Sequence, residues 1–310
     1  MAKKSAIRMH DATANTHQAE LAKMIRSLSY AKHIHDVFSD FVEVAALSIS
    51  NAVDRHHYEK REARYLAVVG KYKREEVQMF PKMLATLVAA YQELFESGNR
   101  DDADLPPGGF TDVLGSLYMM FELGNDRTGQ FFTPYHVSQL MARMVVGDGS
   151  DVRSKGFITL MEPACGAGGM VVAYADALLG AGINYQKAMH AICVDVDPRC
   201  VHMTYLQLSL LHIPAIVVHG NALSMEEWSH WYTPAHIVGG WRAKLARKRE
   251  QERAEHEALA LLSAPGGTTG QDVSPAAIAP VAPRSSSVTT EAPAGSREID
   301  FRKLEQMALF

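Results

Sequence analysis

The 310-residue sequence predicts an α/β fold built around a parallel sheet. An apolar run at residues 157–161 leads into the glycine-rich segment 162–170, and an apolar helical pattern follows at 171–179. Two more apolar runs, 191–195 and 215–218, come at the spacing of a strand, a helix and a strand. Because parallel strands must be joined by crossover connections, this alternation is typical of a parallel sheet.

The segment before the sheet is predicted to be helical. Apolar residues recur at helical spacing within residues 18–60 and 61–97, which predicts two long helices. A turn and a proline-rich loop within residues 98–109 precede a shorter helix through Leu114 and Phe121. The next helix, over residues 137–145, is predicted to be capped by Thr133, with Pro134 at its first position.

The sequence changes character after the third predicted strand. Residues 242–263 predict one charged helix, and the 33 residues 264–296 are rich in Ala, Pro, Ser, Gly and Thr. That composition cannot build a core, so we expect a disordered linker with a reach of about 30 Å. The sequence therefore predicts a helical N-terminal domain (1–110) and a cofactor-binding domain (111–241). A charged helix (242–263), a disordered linker (264–296) and a C-terminal docking tail (297–310) follow.

The glycine-rich segment 162–170 reads Glu-Pro-Ala-Cys-Gly-Ala-Gly-Gly-Met. A glycine turn between a strand and a helix lets the backbone pass close to a ligand and adopt positive φ. Glu162 at the strand end would repel a phosphate, but its carboxylate is suited to the ammonium of a methionine moiety. These residues therefore predict S-adenosylmethionine as the ligand, rather than NAD or ATP. A glycine-rich turn without a ligand is the alternative.

Polar residues also end the next two predicted strands. Asp195 lies 26 residues after Gly169, where an acid is placed to accept hydrogen bonds from ribose hydroxyls. Asn221 follows the third strand and is predicted to contact an adenine edge. Purely structural roles are the alternative for two residues here. Asp197 has the sequence context of a helix cap, and Asn221 has that of a turn residue.

With these motifs in order, the chain resembles the DNA adenine-N6 methyltransferases, specifically the modification subunits of type I restriction systems. The resemblance rests on Gly129-Gln130-Phe131-Phe132-Thr133-Pro134, which lies upstream of the glycine loop, and on the loop itself, and it covers roughly residues 110–225. It implies a Rossmann-like S-adenosylmethionine-binding methyltransferase core with an incomplete sheet, in a bacterial, phage or plasmid protein. The implied cofactor-binding residues are Phe131, Phe132, Thr133, Pro134, Glu162, Pro163, Ala164, Gly166, Gly168, Asp195 and Asn221.

One family motif is missing. An adenine-N6 methyltransferase needs an Asn/Asp/Ser-Pro-Pro-Tyr/Phe segment after its fourth strand, to receive the flipped base. None occurs after Asn221, and the nearest candidate is Thr233-Pro234-Ala235-His236, with no convincing strand before it. The family's remaining strands and a target-recognition region have no sequence left to form them, so we expect a truncated core and assign no catalytic residue.

Charge and cysteine content limit the possible partners and compartments. Residues 111–240 carry 6 Lys/Arg against 11 Asp/Glu, a net charge of −5, so this region alone is a poor match for DNA. Basic segments at 55–74 and 242–249 are candidate DNA contacts or, alternatively, solvated helix faces. The three cysteines and 14 scattered histidines lack metal spacing, and no membrane span is apparent, which favours a metal-free cytoplasmic protein.

Two aromatic or apolar segments suggest further contacts. Trp228, Trp231, Tyr232 and Trp241 form a platform for base stacking or, alternatively, seal the edge of a core. The C-terminal Gln306-Met307-Ala308-Leu309-Phe310 resembles the pentapeptide by which bacterial replication proteins dock on the sliding clamp. The alternative is an amphipathic helix packed on the body.

The resemblance leaves competing functions. We expect an S-adenosylmethionine-binding protein that acts on or at DNA, with a partner subunit supplying what catalysis lacks. A catalytically inactive DNA- or replisome-associated module with the same pocket is the alternative. A methyltransferase for a small molecule or a protein is a third interpretation, which the Gly129–Pro134 segment disfavours.

Overall fold

The computed structural model describes residues 15–30, 32–98, 109–123, 132–263 and 307–308. The described residues up to Ala243, together with Met307 and Ala308, form one compact unit, and the residues from Lys244 form a second. Several predicted features lie outside the described residues: Phe131, the linker 264–296, and Gln306, Leu309 and Phe310 of the C-terminal pentapeptide.

The N-terminal region is helical, as predicted for residues 18–60 and 61–97, but each of the two segments is divided into shorter helices. It contains α1 (Thr16–Leu28), α2 (Ile34–Val53), a 3₁₀ turn (Arg55–His57), α3 (Tyr58–Val69), α4 (Arg74–Val77) and α5 (Met79–Gly98). Two of the breaks come where His33 and Lys73 take extended N-cap conformations. The periodicity continues across the breaks because all the long helices bury apolar faces in the same core.

Three short helices precede the sheet: α6 (Val113–Met120), α7 (Tyr135–Val146) and α8 (Ser150–Lys155). Asp112 caps α6 by accepting a hydrogen bond from the backbone N–H of Gly115. The cap predicted for α7 is wrong, because Pro134 occupies the N-cap position and no side chain caps the helix. Thr133 and Pro134 are both exposed.

The sheet has the order β4-β3-β2-β1-β5, from β1 (Ile158–Glu162), β2 (Met189–Asp195), β3 (Ala215–Asn221), β4 (Glu226–Tyr232) and β5 (Met307–Ala308). Strands β1, β2 and β3 are parallel, and the crossovers run through α9 (Gly169–Gly180) with α10 (Tyr185–Ala188), and through α11 (Pro198–Leu210). The predicted α/β fold of Rossmann type, with an incomplete sheet, is confirmed.

The expectation of no strand after Asn221 is wrong. Residues Glu226–Tyr232 pair antiparallel with β3, with Ile216 opposite Tyr232 and a register shift at His219/Gly220. Strand β4 lies at the sheet edge and most of its side chains are half-exposed, so its polar residues are tolerated there. The backbone of β5 pairs with β1 at Leu160 and Met161 on the opposite edge.

One core joins the helices and the sheet. Helix α2 packs on α11, and α7 packs on α9, which is buried along nearly its whole length. A buried Arg61 guanidinium also donates to Asp54 and to the backbone carbonyl of His230 in β4, at 2.7 and 2.6 Å. The proposed boundary between a helical domain and a cofactor-binding domain at residue 110 stays a prediction, since the two segments share this core.

The chain continues after β4 through α12 (Pro234–Val238) and α13 (Trp241–Ser263), where a charged helix is predicted. Exposed ion pairs such as Arg253 with Glu250 and Glu257 run along α13. No helix in the described ranges is long and apolar enough to cross a bilayer.

Candidate functional site

The candidate site lies where β1, β2 and β3 end. Glu162 is the last residue of β1, Asp195 of β2 and Asn221 of β3. The register pairs Glu162 with Cys193 and Asp195 with His219, which brings these strand ends to one edge of the sheet. The carboxyl edge of a parallel sheet is where such folds bind ligands.

Glu162 is a buried carboxylate with one unused oxygen. Its side chain is 4% exposed. Oε1 accepts a long hydrogen bond of 3.4 Å from the Ala164 backbone N–H. Oε2 is buried and has no hydrogen-bond partner among the described residues. Burial raises the pKa of Glu162 to about 7, helped by the nearby Asp195 carboxylate.

A buried acceptor without a donor is unfavourable by itself, because it has lost water and gained no partner. It therefore indicates a ligand donor. A ligand ammonium group beside this oxygen would satisfy it and favour the charged carboxylate.

The loop after Glu162 needs glycine at two positions. Gly166 has φ +54° and Gly168 has φ +87°, the left-handed region that residues with a Cβ rarely adopt. A Cβ at Gly166 would also lie 2.9 Å from the Phe132 ring. Gly168 is the N-cap of α9, so the loop leads directly into that helix. The backbone at Gly166, which carries no side chain and lies against the Phe132 ring, is the predicted approach for a ligand.

Asp195 is hydrogen-bonded to the glycine loop. Its Oδ2 accepts from the Gly166 backbone N–H and its Oδ1 from the Asp197 backbone N–H, both at 2.9 Å. Burial raises the pKa of Asp195, and these hydrogen bonds act against that shift. The role predicted for Asp195 at a ribose stays a prediction, since the carboxylate also has this structural role. Asp197 caps α11, as the cap interpretation expects.

Aromatic residues line the outer side of the loop. The Phe132 ring, which contacts Gly166, is stacked on Tyr118 with centroids 4.9 Å apart. The Arg199 guanidinium lies 5.8 Å from the centroid of the Tyr118 ring. Arg199 is also paired with Asp197 and with His35 of α2. The structure thus brings Phe132 to the loop, whereas Thr133, Pro134, Pro163 and Ala164 are exposed around it.

Asn221 has the geometry of a turn residue. Its Oδ1 accepts from the backbone N–H groups of Leu223 and Ser224, at 2.9 and 3.3 Å. This matches the alternative interpretation of Asn221. A contact between its amide and an adenine stays a prediction.

Sequence reasoning missed the residues that hold the loop from behind. Thr204 of α11 donates to the Gly166 carbonyl at 2.9 Å, and Gln207 donates to the Ala167 carbonyl at 2.6 Å. Gln207 also donates to Asp112. The spacing of three residues between Thr204 and Gln207 puts both on one face of a helix, but nothing in the sequence pairs that face with the loop.

The tryptophans divide between the two interpretations. Trp231 and Trp241 are buried at 6% and 1% exposure, as expected for residues that seal a core, whereas Trp228 is 51% exposed. In the basic segment 55–74, three of the charges are in ion pairs: Arg61 with Asp54, Arg64 with Glu43 and Lys71 with Asp40. The Arg64 and Lys71 side chains are about half exposed, as a solvated helix face predicts, whereas the Arg61–Asp54 pair is buried and does not match that interpretation.

The residues at this edge fit S-adenosylmethionine. Glu162 offers an unpaired carboxylate oxygen for the methionine ammonium, and Gly166 offers backbone without a side chain. Asp195 and the Phe132 ring border the same loop. This arrangement suits a zwitterionic nucleoside better than a pyrophosphate, because the carboxylate at the strand end would repel phosphate.

Comparison with known proteins gives one sequence match. Residues 110–240 match the family described as N-6 DNA Methylase, which is less than half of the chain. No curated protein matches the sequence significantly.

The solved structures that are similar to the chain, at low levels, include two methyltransferases. One is described as a class I S-adenosylmethionine-dependent methyltransferase from Listeria monocytogenes, with 14% identity and a TM-score of 0.38. The other is the methyltransferase subunit of a type I restriction-modification system from Streptococcus thermophilus, with 14% identity and a TM-score of 0.33. The matches cover 68% and 73% of this chain but only 55% and 60% of those chains. Residues 110–240 of this chain thus match the N-6 DNA methylases, a family that indicates S-adenosylmethionine as the cofactor of this site.

Proposed function

We propose that this protein is an S-adenosylmethionine-binding member of the DNA adenine-N6 methyltransferase family, acting on or at DNA with a partner for catalysis. The observation that carries the proposal is the buried Glu162 carboxylate, with an unpaired oxygen beside the glycine loop. The match of residues 110–240 to the N-6 DNA methylases supports the choice of family. The Asp195 contact to the loop adds the second carboxylate that a nucleoside site needs.

The bound cofactor would supply an electrophilic methyl group. The protein's residues would position it: Glu162 would hold the ammonium, the Gly166 region would lie along the methionine chain, and Asp195 would accept from the ribose. Phe132 would close over the site, and the resemblance to the family implies the same role for Phe131, Thr133 and Pro134. Positioning of this kind carries much of the catalysis in a transfer between two bound groups.

The need for a partner is supported by the sequence after β3. Residues 222–310 contain no Pro-Pro pair, and therefore no segment of the type that receives a flipped adenine. Among the described residues, β1 pairs on its outer edge with β5 at Leu160 and Met161. A strand from outside this sequence has an edge to pair with there, beside the glycine loop.

A catalytically inactive module is the second candidate. It would keep the same pocket and use the cofactor as a structural or regulatory ligand at DNA. The lack of the adenine-binding segment favours this candidate, and the retained Gly129–Pro134 segment favours the enzyme.

Docking on a bacterial sliding clamp through Gln306–Phe310 is a further proposal, supported by the pentapeptide pattern alone. A flexible tether would raise the local concentration of the body at DNA without fixing its orientation. The backbone pairing of Met307 and Ala308 with β1 would have to be released for such docking.

Calorimetric titration of the full chain with S-adenosylmethionine tests the proposal. We expect binding by the wild type and clear weakening by Glu162→Gln, which removes the charge with little change in shape. Lys155→Gln, at an exposed ion pair on α8, is the matched control and should bind as the wild type does. Absence of heat and of a thermal shift with the wild type would rule out the proposed function.

A further inference from the structure

A buried hydrogen-bond network connects the N-terminal helices to the glycine loop. Its centre is the Gln207 side chain on α11, which is fully buried. The Gln207 Oε1 accepts from the Tyr91 hydroxyl of α5, and from the Leu114 backbone N–H at 3.1 Å. The Gln207 Nε2 donates to Asp112 Oδ1 at 2.8 Å and to the Ala167 carbonyl at 2.6 Å. All four hydrogen bonds of this amide are therefore made within the protein.

The network fixes the orientation of the Gln207 amide. Tyr91 and the Leu114 N–H are donors, so they require the amide oxygen on their side. Asp112 and the Ala167 carbonyl are acceptors, so they require the amide nitrogen on theirs. Removing the Tyr91 hydroxyl therefore weakens the restraint that holds the donor on the loop carbonyl.

Asp112 packs directly against the start of α9. A Cβ at Gly169 would lie 2.9 Å from Asp112 Oδ2, so the carboxylate occupies the space beside the first residue of the helix. Negative charge at a helix N-terminus is favourable. Asp112 also caps α6 through the Gly115 N–H, at 2.7 Å. One side chain thus sets the start of α6 and the approach of α6 to the loop.

We propose that Tyr91, Asp112 and Gln207 are positioning residues, which hold the Gly166–Gly169 loop in its ligand-binding conformation and so set the affinity for cofactor. Helix α5 then contributes to the cofactor site through Gln207, which carries its Tyr91 contact to the Ala167 carbonyl of the loop. The effect on cofactor affinity rests on the proposed function. The effect on the loop conformation rests on the loop geometry alone.

Two measurements on the full chain separate these parts. The first is hydrogen exchange of the loop amides without ligand, because the backbone N–H groups of Cys165, Gly166 and Gly168 all donate hydrogen bonds, the first two to β2 and the third to the Cys165 carbonyl. The second is the dissociation constant for S-adenosylmethionine. We expect Tyr91→Phe to speed exchange at these amides and to weaken binding by roughly twofold to tenfold, the range for one net hydrogen bond. Gln207→Leu should have the larger effect on both.

Tyr185→Phe is the matched control. The Tyr185 hydroxyl is also buried and donates one hydrogen bond, to the Leu211 carbonyl at 2.7 Å, away from the loop. It should lower thermal stability about as Tyr91→Phe does, with no change in loop exchange or affinity.

Each outcome is decisive. Unchanged loop exchange in Tyr91→Phe, or equal changes in Tyr185→Phe, would overturn the inference. Faster exchange with unchanged affinity would overturn the link to the cofactor. If the wild type binds no S-adenosylmethionine, the proposed function fails, while loop exchange still decides whether the network positions the loop. If Gln207→Leu misfolds, the test still stands on Tyr91→Phe, which removes only one oxygen atom.

Discussion

The protonation state that Glu162 favours should differ with and without a bound ligand. In the protein alone, burial raises its pKa to about 7, so the carboxyl group is partly protonated near neutral pH. A bound ammonium would reverse this preference, because an opposite charge at hydrogen-bond distance favours the carboxylate. With the ammonium bound as proposed, the same side chain would link cofactor binding to proton release.

We predict that cofactor binding releases protons through Glu162. Near pH 7 roughly half a proton should be released per ligand, since a group is half protonated at its pKa. Calorimetry in buffers of different ionisation enthalpy measures this number, and Glu162→Gln should remove the release assigned to this group. A release that is identical in the variant would contradict the assignment of the ammonium to Glu162.

Glu162 should also affect stability without ligand. Its folded pKa of about 7 lies above its ordinary value of 4.5, so its stabilising contribution is complete below pH 4.5. That contribution is lost as the pH rises towards 7. The free energy of unfolding of the wild type, relative to Glu162→Gln, should therefore fall between these two pH values, which chemical denaturation at several pH values would measure.

Asp195 supplies the third prediction at this scale. Asp195→Ala should weaken S-adenosylmethionine binding by roughly 1–3 kcal/mol, the scale of hydrogen bonds to a charged group. Part of that loss would come from the loop, because Asp195 also accepts from the Gly166 N–H. Asp195→Asn keeps one acceptor oxygen and should lose less. Equal affinities for all three proteins would exclude Asp195 from the site.

At the scale of elements, α11 is the helix that organises the site. Its Thr204 and Gln207 bind two loop carbonyls, and its other side packs on α2 and on Trp231 of β4. His202 on this helix is buried with its ring 5.0 Å from that of Trp231. Burial lowers the pKa of His202 to about 4.

We predict acid destabilisation through His202. Its folded pKa lies below its ordinary value of 6.5, so the unfolded chain takes up the proton first. The free energy of unfolding should therefore fall as the pH drops from 6.5 to about 4, opposite in sign to the Glu162 effect. In a Glu162→Gln background, His202→Phe should reduce this slope. A slope that His202→Phe leaves unchanged would contradict the assignment to this group.

At the scale of the whole molecule, the candidate cofactor site is present but the adenine-binding segment is missing from the sequence after Asn221. The described chain has a sheet, a glycine loop and a candidate cofactor site, while the sequence after Asn221 lacks the adenine-binding tetrapeptide. Binding and catalysis should therefore be separable in experiments on the purified chain.

We predict that the chain alone transfers little or no methyl group to adenine N6 in DNA, even where it binds S-adenosylmethionine. A flipped adenine would find no Pro-Pro-aromatic segment to receive it. Incubation with labelled cofactor and DNA, followed by nucleoside analysis, is the measurement. Robust N6 labelling would contradict the prediction and would point to Thr233-Pro234-Ala235-His236 as the base pocket.

The C-terminal tail gives the last prediction. A peptide of residues 297–310 should bind a bacterial sliding clamp in the micromolar range, and Leu309→Ala with Phe310→Ala should abolish binding. Two buried apolar side chains of this kind contribute roughly 1.5–3 kcal/mol each. If the tail instead stabilises the fold, the peptide should not bind the clamp. Deletion of residues 305–310 should then speed hydrogen exchange in β1, where Met307 and Ala308 pair.

The sequence by itself determined the order of strands and loop and the position of Glu162 and Asp195 at strand ends. These features are local, since a strand, a glycine turn and a helix follow from the pattern of neighbouring residues. Strand β4 was missed for the same reason: an edge strand is half-exposed and gives no clear apolar run.

Only the tertiary structure decided which side chains hold the loop. Gln207 and Tyr91 are 116 residues apart, and Asp112 is 95 residues from Gln207. Their types are ordinary for buried helices, so no spacing in the sequence marks them as partners. The unpaired oxygen of Glu162 and the turn contacts of Asn221 are likewise results of packing. Hydrogen bonding between distant segments depends on how the helices pack, which local sequence patterns do not specify.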